Sequence, residues 1–395
     1  MAAVTWILTL NSGSSSLKFA LYRCTGEDEA QELNGAVERI GQTAGRLWID
    51  REGQRVRDVV QGFASAKEAL RAVLQALTEL DFPHPAAVGH RIVSGGPQHQ
   101  EHCRIDAGLL QDLRRALPFA PLHLPAEIAG IEAIQDLWPD LPQVACFDTA
   151  FHRTLPELAA RLPLPREFWQ EGIRKYGFHG LSYEYIVSVL PDHGQAPTII
   201  AHLGNGASLA ALCDGRCQDT TMGLTPTGGL VMGTRSGDLD PGVLLYLLAE
   251  KGYTATRLEH LLNHQSGLLG VSACSGDMEE LLRARERNSQ AQEAIALFAY
   301  SARKHIGSLV AVLGGLRRLV FTGGIGEHAS AVRWAICRPL EGLGIRLDAD
   351  ANAAGSSTAR RISTADSPVE VLVIPTDEDR SIARHTHRLL VEAST

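Results

Sequence analysis

"ILTLNSGSSSLKFALY", running from Ile7 to Tyr22, joins two apolar runs through six small or polar residues, Asn11 to Ser16. Each run has the composition of a strand, and the serine- and glycine-rich connection is turn chemistry. The same residues can do a second job. Glycine lets backbone N–H groups approach an anion, and serine hydroxyls add donors beside them. Taken singly the stretch reads as a plain hairpin. A second stretch changes that: "IIAHLGNGASLAALCDGRCQDT", Ile199 to Thr220, reads as strand, Gly-rich turn, strand, tight turn, strand. The hairpin with a phosphate-loop candidate therefore occurs twice, at Asn11–Ser16 and at Gly204–Ser208. That repetition predicts two similar α/β halves with a cleft between them. Ligands of such folds sit at the C-terminal ends of strands.

The remaining chain fits this plan. Strands dominate the first sixty residues, and "ASAKEALRAVLQALTEL" (64–80) repeats apolar positions at helical spacing. "AAVGHRIVSGG" is a strand entering a Gly-rich loop, "PAEIAGIEAIQDLWPDL" a helix opened by Pro125, and "PQVACFDTAF" a strand with polar residues at its end. "LRRLVFTGGIGEHASAVRWAIC" reads as strand, Gly-rich loop, helix. "PVEVLVIPTDEDRSIARHTHRLLVE" reads as strand, acidic turn, helix.

The chain has 395 residues, 45% of them hydrophobic, enough for more than one core. Its net charge of −8 argues against nucleic acid as a partner. The seven cysteines are odd in number and scattered, which predicts a reduced, cytoplasmic protein. The first apolar run has no basic residue before it and reads as a strand, not a signal peptide. No apolar run approaches a membrane span. In "CDGRC" the Asp-Gly pair favours a hairpin over a metal site. His260 and His264 are one helical turn apart but lack the Glu of HExxH, so a surface or capping role is expected.

No GxxxxGK[ST] occurs, and "GNGASL" lacks the third glycine of a dinucleotide fingerprint and leads into a strand. Three loops remain, "NSGSSSLK", "HLGNGAS" and "GGIGE", each after an apolar strand. Together they point to a nucleotide site.

At this point the residues resemble a known family. "NSGSSSLKF", "GHRIVSGG", "APLHLPA", "FDTAFH", "GIRKYGFHG", "HLGNGAS", "TPTGGLVMGTRSGDLDPG", "FTGGIGE" and "IPTDE" are similar to the acetate kinases, in order and over nearly the whole chain. The resemblance implies two duplicated ribonuclease-H-like, actin-like ATPase domains around a central nucleotide cleft. It places the first domain at 1–147 with a C-terminal helix at 380–395, and the second at 148–379. It implies a homodimer, ATP and ADP as co-substrates, Mg²⁺ with Mn²⁺ as alternative, and the interconversion of acetate and acetyl phosphate. It also implies roles. Arg91 helps hold the acyl substrate, and Arg235 and His179 stabilise the transferring phosphoryl group. Asp148 acts through metal and geometry, since a carboxylate substrate is already ionised near neutral pH. Asn11 and Glu378 face the metal. Lys18, His202, Leu203, Gly204, Asn205 and Gly206 meet the phosphates. Asp277, Met278, Gly323, Gly324, Ile325, Gly326 and Glu327 border the adenosine. Val93, Leu122, Phe178 and Pro226 match a small apolar acyl pocket, with His123 as a second histidine there.

Several positions depart from the family's usual residues: Ser94 for His, Leu124 for Asn, Leu181 for Thr, Tyr183 for His, Glu279 for Arg and Asp377 for Asn. Glu279 adds negative charge near a polyanion, and the expectation is weaker or altered nucleotide binding. A propionate kinase of the same family is the nearest rival, because one methylene changes preference by only about 1–3 kcal/mol. The others are a non-catalytic nucleotide-binding module, which would not need Arg91, Arg235 and a buried acyl pocket, and a silent paralogue, against which the intact set Asn11, Arg91, Asp148, His179, Arg235 and Glu378 argues.

Overall fold

The computed structural model describes residues 4–13, 15–26 and 28–392. Ser14, one of the serines expected to donate in the first loop, lies outside the described residues. The chain divides into two compact units, Met1–Ala150 with Asp377–Thr395, and Phe151–Thr376. The crossings differ slightly from the expected boundaries: Asp148 and Glu378 both fall in the first unit.

The first unit is built on an eight-stranded sheet. Its strands are β1 (Thr5–Ser12), β2 (Ser16–Thr25), β3 (Asp28–Glu38), β4 (Gly45–Arg51), β5 (Gln54–Gln61), β6 (Ala87–Ile92), β7 (Cys103–Arg104) and β8 (Gln143–Phe147). The order across the sheet is β5-β4-β3-β2-β1-β6-β8-β7. β1 to β5 form an antiparallel meander, whereas β1, β6 and β8 run parallel. Alternation along β1 assigns each side chain to a face. Leu8 and Leu10 join the core under the helix Ala66–Glu79, with Leu70, Val73, Leu74 and Leu77. Ile7 joins a second cluster with Ala20, Tyr22, Ala87 and Ala383 of the last helix, Glu378–Glu392. That helix lies close to β6 because residue 89 has no side chain. A Cβ on Gly89 would stand 2.5 Å from Ile382 Cγ2 and closer still to Thr386. The helix Ala66–Glu79 starts where its sequence says it should: Ser65 accepts the Glu68 N–H, and the Glu68 carboxylate accepts the Ala64 N–H.

The second unit repeats the plan with fewer strands: β9 (Thr198–Leu203), β10 (Ala207–Cys213), β11 (Arg216–Thr220), β12 (Arg318–Thr322), β13 (Arg360–Arg361) and β14 (Glu370–Val373). Their order is β11-β10-β9-β12-β14-β13. β9 to β11 are antiparallel, β9, β12 and β14 parallel, and β13 is an antiparallel edge. This matches β3-β2-β1-β6-β8-β7 strand for strand, so the two sheets are topological duplicates. Tyr183, Ile186 and Leu190 cover one sheet face, against Ile200, Ala210, Leu212 and Val320. The long helix Ser289–Leu313 also packs against β10.

One expectation fails locally. The Gly-rich stretch after β12 is not a loop: Gly323–His328 is itself a short helix entered directly from the strand. The "CDGRC" turn is a hairpin, with both Asp214 and Gly215 at positive φ. No cysteine among the described residues is in a disulfide. No helix among them is long and apolar enough to cross a membrane.

Candidate active site

In the first unit the expected residues converge at the C-terminal ends of β1, β6 and β8. Arg91 on β6 donates through Nε and Nη2 to Asp148 Oδ2, at 3.0 and 2.6 Å, and through Nη1 to Asn11 Oδ1 at 3.3 Å. Glu378 Oε2 stands 3.9 Å from Arg91 Nε. Burial opposes the charge on Arg91, but the Asp148 and Glu378 carboxylates outweigh it and hold the guanidinium firmly protonated. A guanidinium has five N–H donors. Three are taken by these partners, which leaves one on each Nη for an incoming carboxylate.

Glu378 opens the last helix between two anchored neighbours. Asp377 accepts from Tyr22 Oη at 2.9 Å and from the Arg380 N–H at 3.0 Å, so it caps the helix. Asp379 accepts from Thr9 Oγ1 at 2.8 Å, and burial pushes it up to about 6. Asn11, Asp148 and Glu378 offer carboxamide and carboxylate oxygens at one place. That is the donor type a hard divalent cation takes, so the residues fit Mg²⁺. Lys18 is exposed and directly opposite Asn11 in the β1–β2 pairing, hence on the same sheet face. Val93 is buried and its N–H donates to the Glu127 carboxylate; Leu122 and His123 are half-buried just before the helix Leu124–Leu137.

In the second unit a different set gathers around the turn between β9 and β10. A Cβ on Gly206 would sit 3.2 Å from His179 Nε2 and 3.6 Å from Arg235 Nη1, so glycine leaves room between these two groups. Arg235 Nη1 also donates to the Pro226 carbonyl at 2.9 Å. His179 has φ +61°, the left-handed region, and begins the helix Gly180–Val189. Phe178 beside it is buried, and so is Pro226.

Next to this turn lies a cavity of about 450 Å³, lined by Gly204, Asn205, Gly276, Asp277, Met278, Glu279, Leu282, Gly324, Ile325, His328 and Ala329. It lies within the range of small-molecule sites. Six of the expected nucleotide residues line it: Gly204, Asn205, Asp277, Met278, Gly324 and Ile325. Others do not. Leu203 is a core side chain, and Gly323 and Gly326 are buried. Glu327 is occupied elsewhere, accepting the N–H of Gly323 at 2.9 Å and of Thr376 at 3.1 Å. Glu279 does line the cavity, but it is ion-paired with Arg283 one turn along. The negative charge expected there is thus partly balanced, within the small worth of an exposed pair.

The other departures from the expected pattern are mostly structural. Leu124 and Leu181 are fully buried, and Ser94 Oγ accepts the Gly96 N–H at 3.1 Å. Residues that sequence reasoning passed over are more informative. Glu127 sits on the apolar face of its helix, one turn before Ile131, and that misplaced acid was a readable signal. Arg333 likewise interrupts an apolar face. It is fully buried and donates to Asn352 and to the carbonyls of Gly326 and Glu327, pinning the short helix that borders the cavity.

A family model described as the acetokinase family matches residues 6–384. An acetate kinase of Rhodopseudomonas palustris is 48% identical over 392 residues, covering 97% of this chain and 98% of that protein. Among solved structures, the acetate kinase of Porphyromonas gingivalis is similar with a TM-score of 0.88 at 36% identity. A propionate kinase from Francisella tularensis is similar with a TM-score of 0.90 at 37% identity. Each alignment covers 98% of this chain and 100% of the other.

Proposed function

The chain belongs to the acetokinase family, and from that premise we propose that it transfers the γ-phosphoryl group of ATP to the carboxylate of acetate. The products are acetyl phosphate and ADP, and the transfer is reversible. A carboxylate oxygen bonds to the γ-phosphorus as the bond to the β–γ bridging oxygen breaks. No proton need be removed, because acetate is ionised near neutral pH. The chain's task is to bring two anions together in line and to neutralise charge.

The observation that carries this reading is the convergence of Asn11, Arg91, Asp148 and Glu378 in the first unit. It supplies a fixed cation for a small carboxylate beside oxygens suited to a metal. Asp148 orients Arg91, whose two remaining N–H groups bind the acyl carboxylate. Val93, Leu122, His123, Phe178 and Pro226 contribute acyl contacts. Asn11 and Glu378 would hold Mg²⁺, with Mn²⁺ as the alternative, which when bound would supply positive charge against the phosphates. Lys18, His202 and the backbone of 203–206 meet phosphate oxygens, while His179 and Arg235 stabilise the phosphoryl group in flight. Asp277, Met278, Gly324 and Ile325 border the nucleoside.

A hydroxamate assay for acyl phosphate tests this. Arg235→Ala is expected to lower kcat by about 10²–10³, and equal activity in variant and wild type would sink the role. The likeness to a propionate kinase supports a second reading within the same chemistry. Comparing kcat/KM for acetate, propionate and butyrate separates the two, and a propionate preference would overturn the choice of acetate.

We also propose a homodimer. The helix Pro241–Ala249 has no buried residue, and Leu245 and Tyr246 are 66% and 51% exposed. An apolar helix left this open supports a partner surface.

A further inference from the structure

Two histidines of the second unit lie face to face. The ring centroids of His179 and His202 are 4.3 Å apart, with the planes 24° from parallel. Each Nδ1 meets a serine hydroxyl at 2.8 Å: Ser208 for His179, Ser182 for His202. Behind each serine stands a second hydroxyl. Tyr183 Oη is 2.5 Å from Ser208 Oγ, and Thr376 Oγ1 donates to Ser182 Oγ at 2.8 Å. Ser182, Tyr183 and Ser208 are fully buried. The arrangement is compact because Ser208 is the register partner of His202 across β9 and β10, and Ser182 and Tyr183 share the first turn after His179.

A hydroxyl carries one hydrogen. Thr376 donates to Ser182, which leaves the Ser182 hydrogen available to His202 Nδ1, and we take it to point there. That nitrogen accepts, and the ring proton sits on Nε2. Either oxygen can donate in the short Tyr183–Ser208 bond; the phenol is the more acidic of the two, and with it as donor the His179 proton is placed on Nε2. Both Nε2 atoms face the glycine turn. A Cβ on Gly206 would be 3.2 Å from His179 Nε2, and one on Gly204 would be 3.9 Å from His202 Nε2.

We propose that Tyr183 with Ser208, and Thr376 with Ser182, are positioning residues that lock both imidazoles as Nε2–H tautomers and flank the glycine turn with two N–H donors. The catalytic consequence rests on the reading of His179 as a phosphoryl contact. The opposite tautomer would aim a lone pair at an anion. With the tautomer set beforehand, the donors need no rearrangement when phosphoryl charge develops. It also gives a purpose to Tyr183, which stands where the family frequently has His.

Two-bond ¹H–¹⁵N correlation spectra of the full chain with labelled histidine test the proposal directly. Both rings are expected to report protonated Nε2, and an Nδ1–H pattern for His179 in the wild type would overturn the inference. Tyr183→Phe should give His179 a mixed tautomer pattern while leaving His202 unchanged. It should lower kcat about tenfold, with KM for acetate and for ATP within about twofold of wild type. Thr376→Val should shift His202 alone, and Thr376→Ser should restore it. Wild-type spectra and kcat in Tyr183→Phe would refute the positioning role. His179→Gln separates the two layers. Full activity there defeats the phosphoryl reading, whereas the spectra still decide the tautomer lock.

Discussion

Glu127→Gln is expected to make the protein more stable at high pH and to leave it unchanged at low pH. Glu127 is buried on the helix Leu124–Leu137, and its two oxygens accept the Val93 N–H at 3.2 and 3.1 Å. Burial raises its pKa from 4.5 to about 8; Arg91 and the Val93 N–H offset part of that rise, and Asp148 adds to it. The folded state therefore holds a proton that the unfolded chain gives up. The stabilisation from that proton is full below about 4.5 and is lost as pH climbs to about 8. The loss amounts to about 5 kcal/mol above the folded pKa and about 3 kcal/mol at neutral pH. Glutamine keeps an oxygen for Val93 and cannot ionise. Melting temperatures of the two proteins should agree within about 3 °C near pH 5. They should diverge by roughly 6–12 °C near neutral pH, at the usual response of a domain this size. A difference that stays constant with pH, or a variant less stable than wild type at about pH 8, would refute the reasoning.

Asp148→Ala strands the Arg91 guanidinium and should cost about 3–5 kcal/mol in urea unfolding. Asp148→Asn keeps an acceptor and should cost distinctly less, and equal losses would count against the pair as the cause. Leu245→Glu combined with Tyr246→Glu should halve the mass seen by light scattering. An unchanged mass would refute the helix Pro241–Ala249 as the contact of the proposed homodimer. Arg333→Met leaves the buried carbonyls of Gly326, Glu327 and Asn352 without their donor and should cost about 3 kcal/mol or more. It should raise KM for ATP more than KM for acetate. An equal rise in both would argue that Arg333 does not act through the cavity.

The fold was legible wherever a repeat declared itself. The alternation in "ILTL" and "LKFALY" set a hairpin, and its second copy at Ile199–Cys213 announced the duplication. The stretch after β12 departs from its glycine signal: glycine usually marks a loop, whereas here a strand passes straight into a helix that Arg333 ties down. In the candidate site, charged residues in distinctive motifs were readable. Their supports were not. Thr376 and Ser182 are 194 residues apart, and neither residue type in its local context hints at the other. Glu127 and Arg333 did leave a trace, each an ionisable residue where the helical period calls for an apolar one.

The first unit borrows its last helix from the far end of the chain, with consequences for synthesis. When β1 to β8 leave the ribosome, the face carrying Ile7, Ala20, Tyr22 and Ala87 has no cover. The cover, Ala383 and its neighbours, arrives only after the whole of Phe151–Thr376 has been made. The second unit, translated later, can close its own core first. Until translation reaches the final helix, the earlier-made half carries an open apolar surface, a natural binding place for a holdase. Shortening the chain before Glu378 would make that transient exposure permanent and would remove, at the same stroke, the Glu378 carboxylate that stands beside Arg91.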